Sequence, residues 1–405
     1  MLSGFSDAVN QRWEEPISKT KSFDISKQVV WEAYCRVKAN KGAAGVDGQS
    51  ITDFEVGLKD NLYKIWNRMS SGSYFPPPVR TVDIPKSDGR SRRLGIPTVS
   101  DRVAQMVVKM HLEPSVEPIF HPDSYGYISG KSALDAVGVV RERCWMYNWV
   151  IDLDIKGFFD NIDHELMMHA VKKHTDSKWM LLYIERWLKA PAQMENGILS
   201  EREKGTPQGG VISPLLANIF LHHAFDEWMR LSHPGVPFAR YADDIIVHCR
   251  TEALAQFMLR VIKKRLARCK LQLHPEKTKI VYCKDARRPG DYKHESFDFL
   301  GYCFRPRGCK GRSYFCGFTP AASKSAIKAM SATIRGWKLH LWSSSSIEDI
   351  AKRINPIVRG WLNYYGRYYR SALRPVLYQL QNALARWAMR KYKKLRGRWL
   401  KATHW

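Results

Sequence analysis

One short segment constrains this chain more than any other. Val150-Ile151-Asp152-Leu153-Asp154-Ile155 alternates apolar and acidic residues. Side chains alternate across a strand, so Ile151, Leu153 and Ile155 point into a core while Asp152 and Asp154 stand together on an open face. A second acidic site, Tyr241-Ala242-Asp243-Asp244, lies between the apolar runs Phe238–Tyr241 and Ile245–Cys249. This reads as strand, tight turn, strand. Adjacent carboxylates in a turn repel one another unless a cation sits there. An Asp-Asp pair alone is ordinarily an exposed turn, but the flanking strands and the second acidic strand favour a metal site. Carboxylates converging from two strands make a hard-oxygen site suited to Mg²⁺. Two such ions ~4 Å apart can activate an attacking hydroxyl and stabilise a leaving pyrophosphate.

Charge indicates the partner. The 405 residues hold 65 Lys and Arg against 39 Asp and Glu, a net of +26. Residues 306–405 carry 21 basic residues and only two acids, Glu348 and Asp349, for a net of +19. The same stretch holds fifteen Phe, Trp and Tyr residues. Such a density of like charge faces a polyanion, and the interleaved aromatics suit a nucleic acid better than a lipid surface. The expected contacts are Arg386, Arg390, Lys391, Lys393 and Lys394, with Arg359, Arg367 and Arg370. Tyr364, Tyr365, Tyr368 and Tyr369 form the densest aromatic group and are expected to divide between stacking on bases and packing helices together. No apolar run approaches the ~18 residues of a membrane span, and the N-terminus lacks a secretory pattern. The eight cysteines include no Cys-x-x-Cys pair. Cys303, Cys309 and Cys316 lack histidines at zinc-finger spacing and read as free thiols in a reducing compartment.

Periodicity gives a mixed α+β chain, long enough for two or three domains. Ile25 to Val37 reads as a helix, Lys41 to Gly48 as a glycine-rich turn and Pro76-Pro77-Pro78 as a break. Val79–Pro85 and Arg92–Ile96 form a hairpin across Ser87-Asp88-Gly89. Asp101–Leu112 is helical, and Asp163 caps a helix to about Lys173. Ser213-Pro214 reads as an N-cap and first helical proline, opening a helix to about Leu231. Glu252–Cys269 is helical, residues 296–304 are a strand, and beyond Thr319 the pattern is helical, with Ser343–Ser346 a short linker between helices. Ile327, Met330, Ile334 and Trp337 share one face; Leu373, Val376, Leu377, Leu380 and Leu384 share another.

These residues also carry a family resemblance. Phe238-Ala239-Arg240-Tyr241-Ala242-Asp243-Asp244-Ile245-Ile246-Val247 resembles the Tyr-x-Asp-Asp motif of reverse transcriptases. Asp152 to His164 is similar to the first catalytic block of group II intron-encoded reverse transcriptases, and Gly205 to Asn218 to their Gln-Gly block. Arg93 to Arg102 resembles a fingers block, Phe299-Leu300-Gly301-Tyr302 a block at the end of the palm, and Asn355 to Arg370 the maturase or thumb domain. The blocks run in the family's order from about Gly45 to Lys394. Nothing after Trp405 matches an HNH endonuclease, so the resemblance is to the compact bacterial form.

The resemblance implies a right-hand polymerase. It divides the chain into an N-terminal helical extension (1–75), fingers (76–148), palm with inserted fingers elements (149–305), thumb or maturase domain (306–385) and basic tail (386–405). Asp154 and Asp243 would bind two Mg²⁺ ions, with Mn²⁺ as a substitute. Asp244 would add charge and a weaker contact, and the Ile155 carbonyl would complete one metal. Phe159 would lie under the incoming sugar, Lys86 and Arg92 would grip the triphosphate, and Gln208 would touch nucleotide or template. Lys277 would serve as acid for the pyrophosphate, with Lys279 its rival. The implied partners are group II intron RNA, an RNA template–DNA primer duplex, deoxynucleotides and target DNA, with no membrane. The implied setting is the bacterial cytoplasm, at the nucleoid when the protein acts on DNA. The implied activity is RNA-directed DNA synthesis, with splicing assistance and intron mobility. A splicing maturase with a silent polymerase and a domesticated defence enzyme are the alternatives.

Overall fold

The computed structural model describes residues 21–85, 91–310 and 314–404. Its strands in chain order are β1 (Val79–Pro85), β2 (Ser91–Ile96), β3 (Trp149–Asp154), β4 (Ala192–Gln193), β5 (Leu199–Ser200), β6 (Phe238–Tyr241), β7 (Asp244–Cys249), β8 (Lys279–Tyr282), β9 (Phe297–Phe299), β10 (Tyr302–Lys310) and β11 (Tyr314–Ala322). Two compact units share the chain. The first takes the residues up to Gly130, Ile155–Gly235 and Val261–His274. The second takes Lys131–Asp154, Val236–Arg260 and the chain from Pro275 onward.

In the first unit a sheet of order β2-β1-β4-β5 accompanies a set of helices. β1 and β2 pair antiparallel from Arg80↔Ile96 to Pro85↔Ser91, as expected. The connecting turn, with Lys86, lies outside the described residues. The helix Val99–Val116 starts at its cap Thr98, whose side chain accepts from Asp101 N. It is longer than the expected Asp101–Leu112 and buried on more than one face, with Asp101, Arg102 and Gln105 inside along with Val103 and Val107. The helix His164–Lys172 is capped by Asp163, as read from the sequence.

Ser213 departs from expectation. It is the first helical residue rather than the cap, and its hydroxyl pairs with Thr206 Oγ1 at 2.9 Å. The helix Ser213–Leu221 then passes through a π-type turn, His222–Asp226, before Glu227–Ser232. Such a turn widens the hydrogen-bond ladder and frees carbonyls. Arg265 donates to two carbonyls there, Ala224 at 2.9 Å and His223 at 2.8 Å.

The second unit holds an antiparallel sheet of order β6-β7-β3-β8 and a three-stranded sheet β11-β10-β9. β3 is central: Trp149 pairs with both Cys249 and Tyr282. Residues 296–304 are two strands, not one. Leu300 (φ 50°) and Gly301 (φ 76°) turn the chain back so that Phe299 pairs with Tyr302. Positive φ at both central residues is the type I′ geometry that matches strand twist. β10 and β11 pair from Tyr302↔Ala322 to Lys310↔Tyr314, so helix begins at Lys324 and not at Thr319.

The tyrosine group is structural. Tyr364 OH donates to Leu300 O at 2.9 Å, Tyr368 OH to Leu134 O at 2.9 Å and Tyr369 OH to Gly308 O at 3.2 Å. Tyr302 OH donates to Tyr364 O, and the Tyr365 ring lies 5.7 Å from that of Tyr302. The first expected face packs together: Met330 and Ile334, with Ile327 and Trp337 beside them, form one cluster with Leu373 and Val376. The second face divides, because Leu384 packs instead on a cluster of Ile350, Ile354, Ala385 and Trp387, Leu380 touches both, and Leu377 belongs to neither. Among the described residues no helix is long and apolar enough to cross a membrane.

Candidate active site

The carboxylates gather at one end of β3 and β7. Asp154 pairs directly with Asp244 across the two strands. Residues opposed in this way carry their side chains on the same face with Cβ atoms about 5 Å apart, where like charges repel. Asp243 sits in the two-residue loop between β6 and β7, since Tyr241 pairs with Asp244. Ala242, its neighbour, adopts φ 55°, a left-handed conformation that costs a non-glycine residue on the order of 1 kcal/mol. Beneath the loop, the fully buried Arg240 donates to Ala242 O at 3.1 Å.

Electrostatics mark this end of the sheet as short of positive charge. Desolvation, then the charges of Asp243 and Asp154, push the Asp244 carboxyl upward against the pull of Lys277. Asp244 stands open to water, so the two neighbouring charges are the durable part of that shift. Desolvation and the charge of Asp244 push Asp152 up to about 7, while Lys279 pulls it down. The two lysines therefore serve different acids: Lys277 Nζ lies 3.0 Å from Asp154 Oδ2, and Lys279 is the cross-strand partner of Asp152. Lys277 lies in a turn before β8. Among the described residues no three His, Cys, Asp or Glu side chains form a group that could by itself hold a metal ion. The donors present are carboxylate oxygens that repel one another and draw an ammonium onto Asp154. That chemistry fits a hard divalent cation, and Mg²⁺ commonly takes one or two carboxylates and completes its shell with water and substrate phosphate.

The Gln-Gly block lies in the first unit. Gln208 Oε1 accepts from Arg92 Nε at 2.6 Å, and Gln208 Nε2 lies 3.4 Å from both oxygens of Asp160. The expected residues Arg92 and Gln208 thus meet, and Asp160 joins them unforeseen. A small cavity of about 170 Å³ opens here, lined by Thr81, Arg93, Asp160, Lys204 and Gln208 among others. Backbone approach is close: Gly95 N donates to Gln208 O at 2.8 Å, and a Cβ on Gly209 (φ +126°) would sit 2.5 Å from Gly95 O. Phe159 is 8% exposed, with its ring 5.3 Å from that of Phe158. Ile155 is buried and bridges to Leu273.

Behind the loop lies a polar network that sequence reasoning missed. Asp101 is fully buried; its Oδ1 accepts from Tyr74 OH at 3.0 Å and Trp187 Nε1 at 2.7 Å. Its Oδ2 accepts from Gln105 Nε2 at 2.9 Å, and Gln105 Oε1 accepts from the backbone N–H groups of Val211 at 2.8 Å and Ile212 at 3.3 Å. Burial pushes the Asp101 carboxyl up to about 6, opposed by those three donors. The available signal was an Asp and a Gln four residues apart on a helix otherwise rich in Val and Met.

The expected nucleic-acid contacts are mostly free surface. Arg359, Arg367, Arg370, Arg386, Arg390, Lys393 and Lys394 are exposed. Lys391 differs: it is half-buried, and its ammonium donates to Ser345 O at 2.6 Å. All eight cysteines are free thiols.

Residues 84–304 match the reverse transcriptase (RNA-dependent DNA polymerase) family, and residues 327–405 match the group II intron maturase-specific domain. The chain belongs to the group II intron-encoded reverse transcriptase/maturase family. It is 31% identical over 348 residues to Protein YkfC of Escherichia coli (strain K12), a match covering 75% of this chain and 87% of that protein. It is 32% identical over 225 residues to the group II intron-encoded protein LtrA of Lactococcus lactis subsp. cremoris, covering 55% of this chain and 37% of LtrA. Among solved structures, telomerase from Candida albicans aligns with a TM-score of 0.47 at 11% identity, over 87% of this chain and 65% of that one.

Proposed function

We propose that the chain is an RNA-directed DNA polymerase that extends a primer 3′-hydroxyl along an RNA template with deoxynucleotides. The observation that carries this reading is Asp154 opposed to Asp244 across β3 and β7, with Asp243 in the adjoining turn. In this reading Asp154 and Asp243 hold two Mg²⁺ ions, with Asp244 and the Ile155 carbonyl as further oxygen donors. Bound there, the ions supply charge stabilisation for attacking and leaving oxygens. Lys277, already on Asp154, carries the proton donated to the pyrophosphate. Arg92, Gln208 and the buried ring of Phe159 contact the incoming nucleotide, and Lys86 shares that role by resemblance. The proposed division is fingers 76–148, palm 149–305 and thumb or maturase region 306–385 with its basic tail. Within the last region the helices start at Lys324.

The exposed arginines and lysines of that region, and the maturase-specific match, support binding of a group II intron RNA. Splicing assistance and copying of the intron at a DNA target follow from that partner. Three intact carboxylates favour an active polymerase over a maturase that only binds RNA. A primer-extension assay on an RNA template tests this. Wild type should extend, and Asp243→Ala should lose at least ~10³ in rate, ~4 kcal/mol of transition-state stabilisation. A variant retaining a tenth of the activity refutes the metal assignment. Wild type that binds intron RNA yet never extends leaves the maturase reading.

A further inference from the structure

The buried network behind the Gln-Gly loop has a polarity that requires positions 101 and 105 to be matched as a pair. Trp187 Nε1 is a donor only, and the backbone N–H groups of Val211 and Ile212 are donors only. Gln105 stands between the loop and Asp101 and must turn its oxygen to the loop, so its NH₂ faces Asp101. Asp101 must then accept on both oxygens, from Tyr74 and Trp187 on one and from Gln105 on the other. An ionised carboxylate does this and an amide does not. The chain Tyr74/Trp187–Asp101–Gln105–Val211/Ile212 therefore fixes the amide orientation of Gln105 and, through it, the backbone three and four residues after Gln208. Gly210 leaves room for it: a Cβ there would lie 3.2 Å from Gln105 Oε1 and 2.6 Å from Ser213 Oγ.

We infer that Gln105, oriented by Asp101, is a positioning residue for nucleotide binding: it holds the loop that presents Gln208 to the incoming nucleotide. This rests on the proposed role of Gln208. Neither Asp101 nor Gln105 touches the nucleotide. Their contribution is to remove loop freedom before binding, which improves affinity more than turnover.

The test is a polarity reversal. Asp101→Asn leaves one oxygen for donors that need two, so either Trp187 or Gln105 loses its acceptor. Gln105→Glu sets two carboxylates against each other. In the double variant D101N/Q105E every bond can reform with the direction of the central one reversed. The amide introduced at position 101 would then accept from Tyr74 and Trp187 and donate to the new carboxylate, which accepts from Val211 and Ile212.

Two readouts are taken on the full chain. The first is KM for deoxynucleotide against kcat in primer extension. The second is amide hydrogen exchange of the peptide covering residues 206–213, which needs no catalysis. Each single variant should raise KM about 10–100-fold with kcat within about threefold, and should speed exchange of the Val211 and Ile212 amides at least tenfold. The double variant should return both to within about threefold of wild type. Folded single variants with wild-type exchange, or a double variant no better than the singles, overturn the inference. If wild type itself fails to polymerise, the proposed function fails and the exchange data still decide whether this network holds the loop. If exchange responds while KM does not, the network is purely structural and the nucleotide role is refuted.

Discussion

His248 offers a quantitative test of the sheet that carries the acidic turn. It lies on β7, is fully buried, and neither ring nitrogen has a hydrogen-bond partner among the described residues. Arg143, which donates to Phe238 O at 2.6 Å, is close enough to act on the ring through its charge, and the Tyr147 ring lies 5.9 Å away centroid to centroid. Burial first, and the Arg143 charge second, push the imidazole pKa down to about 3. The folded protein therefore keeps this ring neutral, while the unfolded chain protonates it below its ordinary value of about 6.5. Between pH 6.5 and 3 the unfolded state binds more protons, so stability falls as pH falls through that window and is fully present above it. At pH 5 the loss is about 1.5 units × 1.36, or ~2 kcal/mol, relative to pH 7.5. The neutral ring also leaves a buried donor and a buried acceptor unmade, each costing ~1–3 kcal/mol. His248→Leu, similar in volume and without polar atoms, should stabilise by ~1–3 kcal/mol at pH 7.5. The gain should widen by ~2 kcal/mol at pH 5. Urea unfolding of both proteins at the two pH values measures this. A destabilised variant at both, or a gap that does not widen at pH 5, would show that the imidazole is not held neutral and unpaired.

Three further outcomes are expected. Phe159→Ala should relax discrimination against ribonucleotides about 10–100-fold, because removing a ring leaves room for a hydroxyl; an unchanged incorporation ratio would make the ring plain packing against Phe158. Gly209→Ala places a Cβ 2.5 Å from Gly95 O at φ +126°, and should raise nucleotide KM at least about tenfold by forcing the loop away; wild-type KM would mean that this close approach is dispensable. Replacing Arg386, Arg390, Lys393 and Lys394 by Gln should lower the slope of log affinity against log salt for RNA by up to about three, at ~0.7 per phosphate contact; an unchanged slope would put the RNA elsewhere.

Where side chains follow a strict period, the sequence is legible. β3, the β1–β2 hairpin and the β6–β7 turn lie where alternation places them, and the apolar face around Ile334 packs as its spacing requires. The departures share a cause. Ser213 looks like a cap because composition reports what a residue can donate, not that Thr206 waits seven residues earlier to pair with it. The turn at Leu300 hides because leucine seldom adopts positive φ. The tyrosines near residue 365 resemble a base-stacking surface until the carbonyls of Leu300, Leu134 and Gly308 are seen to take their hydroxyls. Asp101 and Gln105 are silent for the same reason: their partners lie 27, 86 and over 100 residues away.

The order in which β3 acquires its neighbours bears on how the protein is made. β3 emerges from the ribosome by Asp154, but β7 ends at Cys249 and β8 at Tyr282. At ~5–20 residues per second, synthesis of the intervening chain takes roughly 6–25 s. Until Cys249 is made the nascent protein carries Ile151 and Leu153 on a strand with both edges unpaired, and until Tyr282 is made one edge stays open, a template for association with any other extended segment. Slower translation lengthens the exposure, and a message truncated before codon 244 never ends it. Yield of soluble protein should therefore depend on elongation rate and chaperone supply across residues 155–282 more than on the stability of the finished fold.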